Sequence, residues 1–381
     1  MSRAGVPVVV VAGFLGSGKT TLLNHLLREG GRAGSVGARI GVLVNDFGAV
    51  NIDAMLVAGQ SDGAVSLANG CMCCSVDRDG LDAALSTLLR PSARIDVIVI
   101  EASGIAEPRA LIRMVTGSDD PRIRYGGLVY VVDAALFART RHEYPEIDLH
   151  IAVADLVVLN KIDLVEPAAL DDIRMVLREL NPTAAQISVI DARVDPAMLF
   201  DPVAPDADAP DGSGDDAGPV QLTLDALLHD AGRRDSANQD RGTAHEDEHD
   251  HEDHHMPGVH GHRHLHDEFT SVEFASTAPM DPRRLARFLE RPPVGCYRIK
   301  GVAHFDLPGH RQRHIVHGVG GFVEVRRDSW AGQARQTSIV AIGTGLDRDE
   351  VLIVLGAAVA DDATADDEHG ILHITRHLPA R

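Results

Sequence analysis

The stretch from Val9 to Leu22, VVVAGFLGSGKTTL, constrains this chain more than any other. With Val8 in front, the apolar run to Ala12 reads as a strand buried on both faces. It leads directly into Gly13-Phe14-Leu15-Gly16-Ser17-Gly18-Lys19-Thr20, which satisfies G-x-x-x-x-G-K-[ST] at every position, and a helix is expected from Thr20 to Leu27. Strand, glycine-rich turn and helix together are the context in which this motif wraps phosphates. The glycines let backbone amides turn inward at positive φ, and the helix N-terminus meets the anion with further amides. Lys19 is expected on the β- and γ-phosphates and Thr20 on Mg²⁺, with Gly13, Gly16, Ser17, Gly18 and Thr21 completing the nucleotide-binding set.

A chain of 381 residues accommodates one large α/β domain and a second, smaller one. No apolar run approaches the length of a membrane span. The N-terminal segment lacks the shape of a cleaved signal and there are only four cysteines, so a cytoplasmic protein without a disulfide framework is expected. The net charge of −20 is local in origin: residues 201–268 carry 18 Asp/Glu against 4 Lys/Arg. The remainder is only mildly acidic and offers no broad basic face for nucleic acid.

Polar residues follow each later strand candidate, where an open α/β sheet places its ligand. Arg39 to Asn45 ends in Asp46-Phe47-Gly48, with Asp53 beyond. Asp46 or Asp53 faces Mg²⁺ or an attacking water, or caps a turn. Ile95 to Ile100 ends in Glu101-Ala102-Ser103-Gly104. Glu101 fits the acidic partner of the phosphate loop, reaching Mg²⁺ through water, and the Gly104 amide suits sensing of the γ-phosphate. Leu128 to Val132 ends at Asp133, and Leu156 to Leu159 ends in Asn160-Lys161-Ile162-Asp163. The Asp163 carboxylate accepts from the ring N–H and exocyclic amine of guanine, donors that adenine lacks, which selects GTP. Lys161 is expected along the base, with Asn160 bracing the loop. Helices are expected over 77–89, 110–115 and 167–180, and a sixth strand over 185–190.

Between these strands lies Cys71-Met72-Cys73-Cys74, three of the four cysteines. Clustered thiolates suit Zn²⁺, Co²⁺ or Cu⁺. In an extended backbone Cys71 and Cys73 share a side, and a turn brings in Cys74. Buried small hydrophobes and a redox pair are the competing readings.

From Asp201 the composition shifts to Asp, Pro, Gly and Ala and then to a histidine-rich tract. His245, His249, His251, His254, His255, His260, His262, His264 and His266, interleaved with carboxylates, offer loose metal sites. A solvated acidic linker is the plainer reading. Order is expected to resume at Phe269: strands over 270–274, 296–305, 314–318, 321–326 and 338–343, a helix opened by Asp281-Pro282, and a closing helix over 349–359. Arg298, Lys300 and His304 share one strand face if the strand is regular, whether for phosphates, metal, a client or solvent. Cys296 is expected to be buried. In the tail, His369, His373 and His377 recur at helical spacing around no visible core.

The expected fold is therefore α/β: a mostly parallel sheet of nucleotide-binding type with helices on both faces, then a small α+β domain. The expected boundaries are residues 1–200, an acidic histidine-rich linker over 201–267, the small domain over 268–360 and a polar tail over 361–381.

These motifs resemble, over most of the chain, the CobW group of P-loop GTPases, metallochaperones and activators of metalloenzymes. The resemblance rests on GFLGSGKTTL, Asn45-Asp46-Phe47-Gly48, Gly70-Cys71-Met72-Cys73-Cys74, Glu101-Ala102-Ser103-Gly104 with Glu107-Pro108, Asn160-Lys161-Ile162-Asp163 and Arg298-Ile299-Lys300-Gly301. It implies a GTPase with GTP and Mg²⁺ that couples slow hydrolysis to delivery of Zn²⁺, or Co²⁺, to a client metalloprotein or cofactor-assembly enzyme. By the same analogy Cys71, Cys73 and Cys74 hold the delivered ion, and Lys19, Asp46, Glu101 and Gly104 form the catalytic set. Many members carry glutamate where this chain has Asp46, which leaves the water-orienting acid open. Cobalt supply for cobalamin synthesis, activation of an enzyme such as nitrile hydratase, and metal buffering by the histidines are the alternatives. Neither nucleic acid nor membrane is an expected partner, and self-association is left open.

Overall fold

The computed structural model describes residues 5–30, 38–44, 78–91, 93–102, 107–200, 270–361 and 368–378, and the structural statements below concern these. The Asn45–Asp53 segment, the Cys71–Cys74 cluster, Ser103, Gly104 and the histidine tract lie outside them.

Strand β1 (Val6–Gly13) is buried almost throughout, and its alternation sorts its side chains into two cores. Val8, Val10 and Ala12 enter one apolar layer and Val9 and Val11 the other. Both faces must therefore be covered, and a parallel sheet with helices on each side does so. Helix α1 (Lys19–Gly30) covers the second face with Leu22, Leu23, Leu26 and Leu27. Then come β2 (Ile40–Val44), α2 (Arg78–Leu88), β3 (Val97–Glu101), α3 (Pro108–Thr116) and β4 (Ile123–Asp133). Two short helices, α4 (Phe137–Glu143) and α5 (Ile147–Ile151), precede β5 (Leu156–Asn160), α6 (Pro167–Leu180), β6 (Ala185–Val189) and α7 (Pro196–Leu199). Helices α2 to α6 supply the first layer through Leu81, Leu85, Leu111, Phe137, Ile151 and Leu177.

The six strands run in the order β2-β3-β1-β4-β5-β6, and every pairing is parallel. The order reverses about β1, so the loop that follows β1 lies at the crevice beside the strand ends. Gly13, Glu101, Asp133 and Asn160 end their strands on this same edge.

The carboxyl-terminal unit is β7 (Thr270–Ser276), α8 (Pro282–Glu290), β8 (Cys296–Ala303), β9 (Arg313–Val319), β10 (Phe322–Asp328), β11 (Thr337–Gly343) and α9 (Arg348–Ala357). Its sheet has the order β10-β9-β8-β11-β7 and is antiparallel throughout. Asp281 caps α8 by accepting from the Arg284 N–H at 2.8 Å. Leu285, Phe288, Leu289, Val351 and Leu355 from α8 and α9 pack on Ile299, Val316 and Ile339 of the sheet.

The tail differs from its polar appearance. A short 3₁₀ turn and the last helix that follows it, α10 (Leu372–Thr375), bury Ile371 and Ile374 respectively in this same core. His377 Nε2 lies 2.7 Å from Glu290 and His373 Nε2 lies 3.0 Å from Arg283, so these two histidines are engaged separately rather than stacked around one ion. Two apolar side chains suffice to dock a one-turn helix that composition alone reads as free.

The two sheets meet through buried contacts. Gly126 and Gly127 interrupt the register between β1 and β4. Gly127 has φ +108, and a Cβ there would stand 2.8 Å from the Tyr297 hydroxyl, so only glycine admits the ring. Tyr297, 1% exposed, joins the α1-side core and donates from its hydroxyl to the Gly126 carbonyl at 3.2 Å. Beside it, Asp155 accepts from the Tyr125 hydroxyl at 2.5 Å and the Leu128 N–H at 2.7 Å. Arg298 is buried here and donates to the Leu199 carbonyl at 3.1 Å, so it belongs to the junction and not to an open strand face. Cys296 is buried, and loss of hydration pushes its thiol up to about 12. Among the described residues no helix is long and apolar enough to cross a membrane.

Candidate functional site

The loop after β1 is held from three sides. Asn160, at the tip of β5 and 2% exposed, donates from Nδ2 to the Ser17 carbonyl at 2.9 Å and accepts at Oδ1 from the Ala192 N–H at 2.8 Å. Lys161 donates from Nζ to the Gly16 carbonyl at 2.7 Å and to Asp133 Oδ2 at 2.7 Å. Phe14 packs its ring 4.6 Å from that of Tyr144, just past α4. Gly18, at φ +108, leaves the space into which Asn160 reaches, since a Cβ there would stand 2.4 Å from Nδ2.

Lys161 adopts left-handed backbone, φ 62, which costs a non-glycine residue about 1–2 kcal/mol. Its two ammonium contacts offset that cost and turn the following residues, Ile162–Leu164, into a single 3₁₀ turn. Asp163 sits on this turn and is exposed. Asp133 closes the arrangement, its Oδ1 accepting from the Leu136 N–H at 3.1 Å.

On the other side of the loop, Thr20 donates from Oγ1 to Glu101 Oε1 at 2.9 Å. Glu101 is 2% exposed, so this hydroxyl and carboxylate form a compact pair of hard oxygen donors in a nearly dry setting. Such oxygen sets suit Mg²⁺. The Lys19 ammonium lies 3.2 Å from the Phe14 carbonyl, folded over the loop whose amides it would complement. The Ser17 hydroxyl is buried and has no hydrogen-bond partner among the described residues, a polar atom left for an incoming acceptor.

The structure thus brings together Gly13, Gly16, Ser17, Gly18, Lys19, Thr20, Glu101, Asn160 and Lys161, with Thr21 on the exposed side of the first helical turn and Asp163 at the rim. Asp46, Gly104, Cys71, Cys73, Cys74 and the nine histidines of the acidic tract fall outside the described residues. Among the described residues no cluster of three or more His, Cys, Asp or Glu is arranged to hold a metal ion. Asp133 had no role from sequence, although its place at a strand tip is the same signal that marks Glu101.

Comparison with known proteins matches residues 7–188 to the nucleotide-binding domain of the CobW/HypB/UreG family. Residues 269–359 match the carboxyl-terminal domain of the cobalamin synthesis protein cobW. A protein of Sinorhizobium named zinc chaperone CobW is 31% identical over 92% of this chain and 96% of its own length. The chain belongs to the CobW family of P-loop GTPases. A second zinc chaperone CobW, from Pseudomonas aeruginosa, is 30% identical over 94% of this CobW-family chain and 92% of its own. The Zn(II)-bound YjiA GTPase of E. coli covers 93% of this chain and 99% of its own at 20% identity, with a TM-score of 0.38.

Proposed function

We propose that this CobW-family protein binds and slowly hydrolyses GTP and uses the nucleotide state to hold and hand over a transition metal, zinc first among the candidates. The observation that carries the nucleotide half is the convergence of Lys19, Thr20 and Glu101 on one side of the loop with Asn160 and Lys161 on the other. The metal half rests on the Cys71-Met72-Cys73-Cys74 motif together with two relatives of nearly full length that bear the name zinc chaperone.

In this reading the amides from Gly13 to Thr20 bind the phosphates, and Lys19 neutralises charge on the β–γ bridge. Thr20, and Glu101 through water, would hold Mg²⁺, which when bound would supply positive charge to the phosphoryl oxygens. Asp163 recognises the guanine edge, and Lys161, pinned by Asp133, walls the base. Asp46 or Asp53 faces the attacking water, and the Gly104 amide senses the γ-phosphate. The cysteine motif lies in sequence between the Asn45–Asp53 segment and Glu101, both expected to sense the γ-phosphate. Zinc held by Cys71, Cys73 and Cys74 is thereby linked reciprocally to the nucleotide. Delivery to a client metalloprotein or cofactor-assembly enzyme completes the cycle.

The decisive experiment is a competition titration of Zn²⁺ against a chelating dye in the presence of a non-hydrolysable GTP analogue and of GDP. Unequal affinities are expected, and both should collapse in Cys71→Ser/Cys73→Ser. Equal affinities in the two nucleotide states would sink the coupling. Loss of all tight zinc on deleting residues 245–266 instead would make the protein a histidine-based metal buffer.

A further inference from the structure

The carboxyl-terminal sheet carries a second candidate site, remote from the nucleotide loop. At the end where β7 finishes, marked by the Ser276 and Thr337 pairing, the β8–β9 and β10–β11 connections enclose an open groove of about 840 Å³. Arg311, Arg327 and Arg335 line it with Trp330, against one carboxylate, Asp328. The groove is braced from within: the Trp330 indole donates to the Arg311 carbonyl at 3.0 Å, and Arg313 reaches Gln333 at 3.4 Å. Arg311 already pairs with Asp306 at 2.8 Å, while the exposed guanidinium of Arg327 lies 3.4 Å from the ring nitrogen of His310.

Charge is distributed unevenly between this unit and the segment that precedes it. Residues 270–361 hold 12 Lys/Arg against 10 Asp/Glu, whereas residues 201–268 hold 4 against 18. The acidic charge peaks in Glu246-Asp247-Glu248-His249-Asp250-His251-Glu252-Asp253, six carboxylates in eight residues with no Lys or Arg. We propose that the Arg311, Arg327 and Arg335 groove docks this acidic stretch of the same chain.

Guanidinium groups accept carboxylates in a bidentate fork, and a cluster of them favours an acidic peptide over a single anion. Reach is not limiting. Thr270 stands at the far end of β7, about 20 Å from the groove at some 3.4 Å per residue. Asp253 lies 17 residues before Thr270, so the intervening chain spans more than twice that distance when extended. A tether of this kind raises the local concentration to about millimolar, which lets individually weak ion pairs hold. An arginine and tryptophan groove also suits a stacked nucleotide base, but the tethered carboxylates occupy it first and repel a polyanion.

Trp330 is the only tryptophan in the chain and reports on the groove directly. In the full-length protein at low salt, replacing the six carboxylates by Asn and Gln should raise acrylamide quenching of Trp330 about twofold, because the tethered occupant is lost. Salt near 0.5 M should do the same to the wild type by screening. A synthetic peptide of residues 244–256 should restore protection to the neutralised protein, and its all-amide counterpart should not. Arg311→Gln/Arg327→Gln/Arg335→Gln should erase every difference while leaving GDP affinity unchanged, and the exposed single change Arg335→Gln should weaken peptide protection if the triple variant folds poorly. Equal quenching with and without the carboxylates at low salt overturns the proposal. So does protection by a single-stranded RNA oligonucleotide where the acidic peptide gives none.

Discussion

Asn160 reaches across 143 residues of sequence to donate to the Ser17 carbonyl at 2.9 Å, and it does so through the space that Gly18 leaves vacant. The tip of the fifth strand is thus fastened to the phosphate loop, joining the elements proposed to read guanine and to bind phosphates. Gly18→Ala places a methyl 2.4 Å from Asn160 Nδ2 at φ +108, so the amide must withdraw. At Gly16, φ +75, a methyl meets nothing within 4 Å, and only the left-handed strain of about 1 kcal/mol remains. Gly18→Ala, which adds a clash to the same strain, should therefore weaken GDP binding more than Gly16→Ala, by at least about tenfold against about fivefold. Fluorescent-nucleotide titration of both variants checks the order, and a reversed order refutes the fastening.

Asp133 and Lys161 form the second link, 2.7 Å apart, with Lys161 also on the Gly16 carbonyl. Asp133→Asn removes the anion but keeps an acceptor, so the left-handed Lys161 loses its stronger anchor. GDP affinity should fall by roughly 1–2 kcal/mol, the scale of a charge-assisted hydrogen bond, with the fold retained. Asp163→Asn acts differently because it exchanges an acceptor for a donor at the base edge. Guanine should bind on the order of a hundredfold more weakly while xanthine nucleotides, with a carbonyl in place of the amine, gain. Competition between GDP and XDP distinguishes the two variants.

Strands β1, β3 and β5 were legible because each is a short apolar run buried on both faces, ended by the glycine-rich loop after β1 and by the polar tips Glu101 and Asn160 in the other two. Helix α6 was read to the residue, since Pro167 opens it and its apolar spacing is regular. The first half of β4 was missed because Gly126-Gly127 break the apolar pattern, and those glycines serve Tyr297, which lies 171 residues on from Gly126. Helices α4 and α5 were missed because one or two turns carry too little periodicity to see. At the site, motif residues were legible wherever chemistry dictates residue type. The roles of Asp133 and Arg298 were not, because their partners, Lys161 and the Leu199 carbonyl, are set by tertiary packing.

The junction between the sheets makes Tyr297 a test of whether they unfold together. Tyr297→Phe removes only the bond to the Gly126 carbonyl and should cost about 1 kcal/mol. Tyr297→Ala empties a fully buried ring site in the α1-side core and should cost about 3–5 kcal/mol. Urea unfolding followed by far-ultraviolet circular dichroism gives both values. If the junction couples the sheets, the alanine variant shifts the whole transition; a separate early phase confined to one unit refutes the coupling.

Asp155 supplies a pH signature for the same junction. Burial raises its carboxyl from 3.8 to about 6, partly opposed by the bonds from the Tyr125 hydroxyl and the Leu128 N–H. A folded-state value above the unfolded one means that the folded protein holds the proton to higher pH. The resulting stability is complete below about pH 4 and is lost as pH rises through about 6. Asp155→Asn keeps an oxygen that can accept from both partners but cannot ionise. The variant should match the wild type near pH 4.5 more closely than at pH 7.5, and its relative stability should rise by about 2 kcal/mol between the two. Urea midpoints for both proteins across this range measure the difference. Parallel curves would mean that Asp155 ionises as easily in the junction as in water, and that the sheets do not exclude solvent where Tyr125, Asp155 and Tyr297 meet.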